Sequence, residues 1–328
     1  MTVQPRGAWL ATPPPAPELA HGPVPARVGN VLVGTASWTE KSLVASGAFY
    51  PAAANTPERR LRYYARHFPL VEVDSTYYAL PAPRNAAAWA QRTPADFVFG
   101  VKAYAALTEH PIDLARLDRD LVGSLPATLR RARRLYPRDL PEAVVAEIWR
   151  RFHAALAPLR DAGKLGYVLF QLPAWTAPSR TSHAYLESLS ERLPGARLAV
   201  EFRQARWMTP ERAPRTLAFL RRAGLVYVCV DEPQGTPASV PPVAEATSDD
   251  LAVVRFHGRR ADTWTKRGAT THERFGYLYD PAELRPWVPR IRALARRTRE
   301  VHVLMNNCYR ESAVRNAKDL AELLASGA

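Results

Sequence analysis

The feature that most limits what this chain can fold into is a series of short apolar, β-branched runs, at residues 31–35, 70–74, 97–101, 166–170, 197–201, 226–230, 251–256 and 301–305. Continuous apolar runs of this length suit parallel strands covered on both faces, since a strand with one wet face would alternate apolar and polar residues. Helix-like stretches separate several of them. From Pro57 onward, Leu61, Tyr64, Ala65 and Phe68 recur at helical spacing, with Thr56 placed as an N-cap and Pro57 at the first helical position. Residues 210–223 repeat that logic, with Thr209 ahead and Gly224 as a stop. Residues 140–159, 281–297 and 311–324 read as further amphipathic helices. Alternating strands and helices imply a parallel sheet with right-handed crossovers.

Eight such strands imply that the sheet closes. The expected fold is α/β, a single (β/α)8 TIM-like barrel over residues 28–328, behind a Pro-rich disordered leader at residues 1–27. A doubly wound open sheet is the alternative, but no Gly-rich phosphate loop follows the first run. Two cysteines, Cys229 and Cys308, sit in apolar surroundings, which argues against a disulfide scaffold and a Cys-based zinc site. A reducing cytoplasm is the simplest compartment. No apolar run approaches the ~20 residues needed to span a bilayer, so no membrane partner is expected. The apolar stretch Ala8, Trp9, Leu10 is too short for a signal peptide.

The formal net charge is +14, and only five of the 45 basic residues are lysines. Such arginine usage fits a coding bias. It also fits a polyanion partner held through Arg130, Arg131, Arg133 and Arg134, in the long connection after the third run.

Side chains alternate along a strand, and catalytic groups of such barrels sit at the C-terminal strand ends. Taking the polar residue at each end gives Glu72 and Asp74, Lys102, Gln171, Glu201 and Arg203, Asp231, Arg255 and His257, and Asn306 with Asn307. Crowded charges push pKa values apart, as acid–base work requires. Glu201 and Asp74 are candidates for general acid and base, with Lys102 as proton donor or electrostatic stabiliser. Arg203, Arg255 and the tunable His257 would hold an anionic small-molecule substrate, and Gln171, Asn306 and Asn307 would orient it. Loop aromatics, Trp38, Tyr77 and Trp175 among them, would stack on a sugar or base, or roof the barrel as core. No H-E-x-x-H motif or paired cysteines mark a metal site, and no cofactor is assigned. An all-oxygen set of Glu72, Asp74, Glu201 and Asp231 would suit Mg²⁺ or Mn²⁺.

The segments V-G-T-A-S-W (33–38), V-E-V-D-S-T-Y-Y (71–78), W-x-x-R-T-P-x-D-F-x-F-x-V-K (89–102), G-K-L-G-x-V-L-F-Q-L-P (163–173), A-V-E-F-R (199–203), V-R-F-H-G-R (254–259) and N-N-C (306–308) resemble the DUF72 (YecE-like) family, collinearly from about residue 30 to the C-terminus. The resemblance implies a TIM-like barrel with no established activity, and characteristic polar positions at Glu72, Asp74, Lys102, Gln171, Glu201, Arg203, His257 and Asn306. Asp74, where the family often shows Asn, and Cys308 depart from its pattern. Three functions remain open: a hydrolase or lyase on a phosphorylated or sugar-containing molecule, a nucleic-acid-binding or repair phosphodiesterase, and a non-catalytic binding module whose mouth is plugged by salt bridges.

Overall fold

The computed structural model describes residues 26–266 and 268–326. The leader expected at residues 1–27 lies, up to residue 25, outside the described residues. Eight parallel strands, β1 (Val31–Ala36), β2 (Leu70–Val73), β3 (Val98–Lys102), β4 (Leu165–Gln171), β5 (Leu198–Glu201), β6 (Val226–Asp231), β7 (Leu251–Phe256) and β8 (Glu300–Met305), pair in chain order. β8 also pairs with β1, which closes the barrel. The longer helices, α1 (Pro57–Tyr64), α2 (Pro83–Gln91), α3 (Glu142–Asp161), α4 (Arg180–Glu187), α5 (Ala213–Arg222), α6 (Trp287–Ala295) and α7 (Ser312–Ala325), form the outer layer. Every residue of β1, β2, β5, β6 and β7 is buried, as strands covered on both faces require.

Local chemistry sets the helix boundaries. Thr56 accepts a hydrogen bond from the Arg59 amide at 3.2 Å ahead of α1, and Pro57 opens that helix. The stretch read as one helix over 281–297 is two, Pro281–Leu284 and α6, with Pro286 at the break because it has no amide hydrogen to donate. No helix crosses between β6 and β7; the chain returns through extended backbone and turns.

The connection from β3 to β4 carries the largest insertion. Ile112–Asp113 and Arg134–Leu135 pair as a two-stranded antiparallel ribbon before α3 begins. This places Tyr136, Pro137 and Arg138 beside the loop that follows β4. No helix of the described residues is long and apolar enough to cross a membrane.

Closure brings the backbones of β1 and β2 together at Gly34, which pairs with Leu70. A Cβ added to Gly34 would stand 2.0 Å from the Leu70 carbonyl oxygen, an impossible approach to rigid backbone. Gly34→Ala should therefore destabilise the barrel by at least about 2 kcal/mol, measured by urea unfolding. A change within about 0.5 kcal/mol would mean that the seam is looser than this contact indicates.

Candidate functional site

The C-terminal mouth is built on one buried cation. Arg255 points inward from β7 with no exposed side-chain area, between two equally buried carboxylates. Its Nη2 donates to Glu72 Oε1 of β2 at 2.5 Å, and its Nη1 donates to Glu201 Oε2 of β5. Tyr167 of β4 donates to the other Glu72 oxygen at 2.9 Å. Its ring crosses the barrel because Gly100 on β3 has no side chain; a Cβ there would lie 2.5 Å from the ring.

A second layer is organised by Glu201 Oε1. This oxygen accepts from Gln171 Nε2 at 2.5 Å and from Arg203 Nη1 at 3.2 Å. His257 Nε2 lies 3.1 Å away, poorly aligned for a hydrogen bond. On its other side, His257 Nδ1 faces the Asn306 amide at 2.8 Å. An amide N–H donated to Nδ1 leaves the imidazole hydrogen on Nε2, toward the acceptor-only carboxylate. Across the mouth, Lys102 Nζ is 3.6 Å from Asp74 Oδ1 and 4.9 Å from the centre of the Tyr77 ring.

The structure corrects one strand phase. Phe256 pairs with Asp231 and Arg255 with Val230, so Asp231 shares the outward face of Phe256. There it binds Trp287 Nε1 at 2.7 Å, the Tyr279 hydroxyl at 2.7 Å, and Arg259 through Nε and Nη2 at 2.9 and 2.8 Å. Asp231 thus ties β6 to the helical layer and does not reach the mouth. The next residue, Glu232, takes the inward phase set by Val226, Val228 and Val230. That alternation is present in the sequence, and it excludes Asp231, the first acid after the apolar run. Glu232 Oε1 accepts from the Val240 amide at 2.6 Å, and Oε2 lies 2.9 Å from Arg203 Nη1.

Two other expected mouth residues also lie elsewhere. Asn307 is fully buried and donates to Tyr277 O at 2.9 Å and Asn316 Oδ1 at 2.8 Å, fastening a loop to α7. Trp38 packs edge-on against Trp89 of α2 at 5.8 Å and Phe99 at 6.5 Å, so it belongs to the layer between barrel and helices. The acidic quartet expected for a divalent ion does not converge. Arg255 separates Glu72 from Glu201, Asp231 faces out, and no group of three or more His, Cys, Asp or Glu among the described residues is placed to hold a metal ion. On the insertion Arg130, Arg131, Arg133 and Arg134 are all exposed, and Arg130 donates to Leu125 O and Gly123 O, each at 2.7 Å.

The charges settle into unequal states. Burial works to raise the Glu201 carboxyl, but Arg255, His257 and Arg203 outweigh it and hold the group well below the usual carboxylate range. Glu72 goes the other way, because its burial is opposed mainly by one guanidinium and Asp74 repels its charge. Burial pushes Glu232 up to about 7 against the attraction of Arg203. Burial pulls His257 down to about 4 despite Glu201, so the imidazole is neutral near pH 7. A carboxyl that titrates near 7 among fixed charges is what general acid–base chemistry requires.

Comparison with known proteins agrees with this architecture. A family model described as "Protein of unknown function DUF72" matches residues 32–328. UPF0759 protein YunF of Bacillus subtilis (strain 168) is 32% identical over 297 residues, covering 90% of this chain and 94% of that protein. UPF0759 protein YecE of Escherichia coli (strain K12) is 35% identical over 113 residues, 34% of this chain and 37% of that protein. A solved DUF72 family protein of Thermotoga maritima MSB8 superposes with a TM-score of 0.70 at 32% identity, covering 90% of this chain and 98% of that one. One from Enterococcus faecalis V583 gives 0.71 at 25% identity, covering 90% and 95%.

Burying Glu232 has a measurable thermodynamic consequence. Its folded-state pKa lies above the ordinary value of 4.5, so the native state binds the extra proton. The stability gained is fully present below about pH 4.5 and is lost as pH rises through about 7. Glu232→Gln should therefore match the wild type near pH 4.5 and gain on it up to pH 8, by on the order of 2–3 kcal/mol. Chemical denaturation at a series of pH values reads this directly. A stability difference independent of pH would mean that Glu232 is ionised throughout.

Proposed function

The chain belongs to the DUF72 family, and from the geometry of its barrel mouth we propose that it is an acid–base enzyme, a hydrolase or lyase acting on a small anionic molecule that carries a phosphate or a sugar. The observation that supports this most is Glu232, a buried carboxyl raised to about 7 and placed 2.9 Å from Arg203, whose side chain keeps 15% of its area exposed. An anion arriving at Arg203 would meet a guanidinium already aligned by Glu201, with Lys102 as a second partly accessible cation of the mouth. Anion binding next to Glu232 stabilises its protonated form, and departure of the anion's charge releases it. Glu232 is therefore the group suited to give and take the proton, and Glu201 is the fixed counter-charge that keeps Arg203, Arg255 and Gln171 in place.

The alternative of a mouth plugged by salt bridges requires every buried charge to be fully paired. Arg255 Nε is buried without a hydrogen-bond partner, and Asp74 Oδ1 is buried with only Lys102 at 3.6 Å to face it, so the cluster keeps polar atoms whose hydrogen bonds are not met within the mouth. A ligand that binds only the native state raises the melting temperature by mass action. In a panel of phosphorylated sugars, other phosphorylated metabolites, neutral sugars, divalent ions and short single-stranded DNA, at least one small phosphorylated compound should raise Tm by about 2–5 °C at millimolar concentration. Arg203→Ala should abolish that shift. A shift with DNA alone, lost at moderate salt, would replace this reading with polyanion binding. No shift with any small anion would overturn it.

A further inference from the structure

A cavity of about 540 Å³ lies at the mouth end of the barrel but outside the charged cluster, between the loop after β3, the insertion, the start of α3 and the loop after β4. Its size falls within the roughly 300–1,000 Å³ typical of small-molecule sites. Its aromatic lining comes from Tyr136, Trp149, Trp175 and Tyr185. Trp175 is 58% exposed, one of only three large apolar side chains so exposed among the described residues. Tyr136 meets it edge-on at 6.5 Å and 74°, forming a corner of two rings. The guanidinium of Arg138 already covers the Tyr136 ring at 4.5 Å, and that of Arg192 covers the Trp149 ring at 5.2 Å. Among the described residues no such cation covers Trp175, and it is the exposed ring of the four, which leaves its face open to a ligand.

The polar lining of the cavity combines one carboxylate acceptor with hydroxyls and two guanidiniums. Glu109 sits on its wall in a left-handed backbone conformation (φ 63°), an uncommon and strained state for a residue with a side chain. Its carboxylate accepts from the Thr176 hydroxyl at 3.3 Å and forms no ion pair among the described residues. Ser179, Thr181 and Ser182 add hydroxyls to the same wall. Arg138 and Arg192 outnumber Glu109, so the cavity has no negative excess to select a cation, and both guanidiniums are taken up over the Tyr136 and Trp149 rings. An exposed indole face, a carboxylate with acceptor capacity left beyond Thr176, and several hydroxyls together match a neutral ring that is apolar on its faces and hydroxylated around its edge.

We propose that this cavity is a binding site for a neutral pyranose ring, with Trp175 as the stacking platform and Glu109 as the acceptor for two adjacent sugar hydroxyls. The site abuts the charged mouth through a relay of rings. Trp175 packs against His110 at 5.7 Å, His110 against Tyr77 at 5.3 Å, and Lys102 lies over Tyr77 at 4.9 Å. The sugar site stands on its own contacts and does not depend on the chemistry assigned to Glu232.

Isothermal titration of the full chain with methyl β-glucoside, methyl α-mannoside, cellobiose and maltose tests the assignment, with choline and indole as competing probes. At least one neutral sugar should bind with a Kd in the millimolar range or tighter. Trp175→Ala should weaken it about tenfold or more, and Glu109→Gln several-fold. Glu232→Gln should leave it unchanged, which separates this site from the mouth. Because Trp175 is largely exposed, Trp175→Ala should melt with the wild type, so a loss of binding reports the platform and not unfolding. The assignment fails if no sugar binds by about 50 mM, if Trp175→Ala binds as the wild type does, or if choline or indole binds while the sugars do not.

Discussion

Arg255 is a guanidinium in a place where water cannot reach it. Taking such a charge out of solvent costs several kcal/mol unless its donors are met by acceptors of opposite charge. Glu72 and Glu201 meet them from opposite sides of the barrel, so a cation from β7 joins β2 to β5 across the interior. The rest of the mouth follows from that bridge. Glu201 must remain ionised to satisfy Arg255, and its free oxygen then gathers Gln171, Arg203 and His257 around one point. Tyr167 holds Glu72, and the absence of a side chain at Gly100 lets it do so.

With Glu201 and Arg255 locked, proton exchange falls to the groups one step away. His257 is buried beside a carboxylate and two guanidiniums, and burial wins, leaving it neutral. Glu232 is buried beside one guanidinium, and its proton is held until about pH 7. The same physics thus produces a fixed anion and a titratable acid a few ångströms apart, with Arg203 touching both. That arrangement pushes two carboxyls to opposite ends of their range, the division of labour that acid–base sites need.

Much of this is legible in the sequence. Apolar runs and helical spacing give the closed barrel, and period-two alternation puts Glu72, Lys102, Gln171, Glu201, Arg203, Arg255, His257 and Asn306 at one end. The failures have local causes. On β6 the acidic pair Asp231–Glu232 offers a carboxylate to each face, and the alternation from Val226 through Val230, matched by the register against β7, puts Glu232 inside. Asn307 looks like part of an amide pair, but adjacent residues cannot share a face, and its contacts come from Tyr277 and Asn316 far along the chain. Trp38 is an outer-layer residue because Trp89 and Phe99 surround it, partners that no local pattern reveals. The cavity beside the mouth was illegible for a related reason. Trp175 stands out as a loop aromatic, but Tyr136 and Glu109 approach it only when the insertion folds back over β3 and β4.

The protonation of one carboxyl carries the account. Infrared or carbon-13 NMR titration of glutamate side-chain carboxyls, with Glu232→Gln identifying the signal, follows it directly. The account predicts a carboxyl with a midpoint near 7 that is absent from the variant. A Glu232 signal that has titrated fully by about pH 5 would make it one more structural counter-ion and contradict the acid–base reading of the mouth.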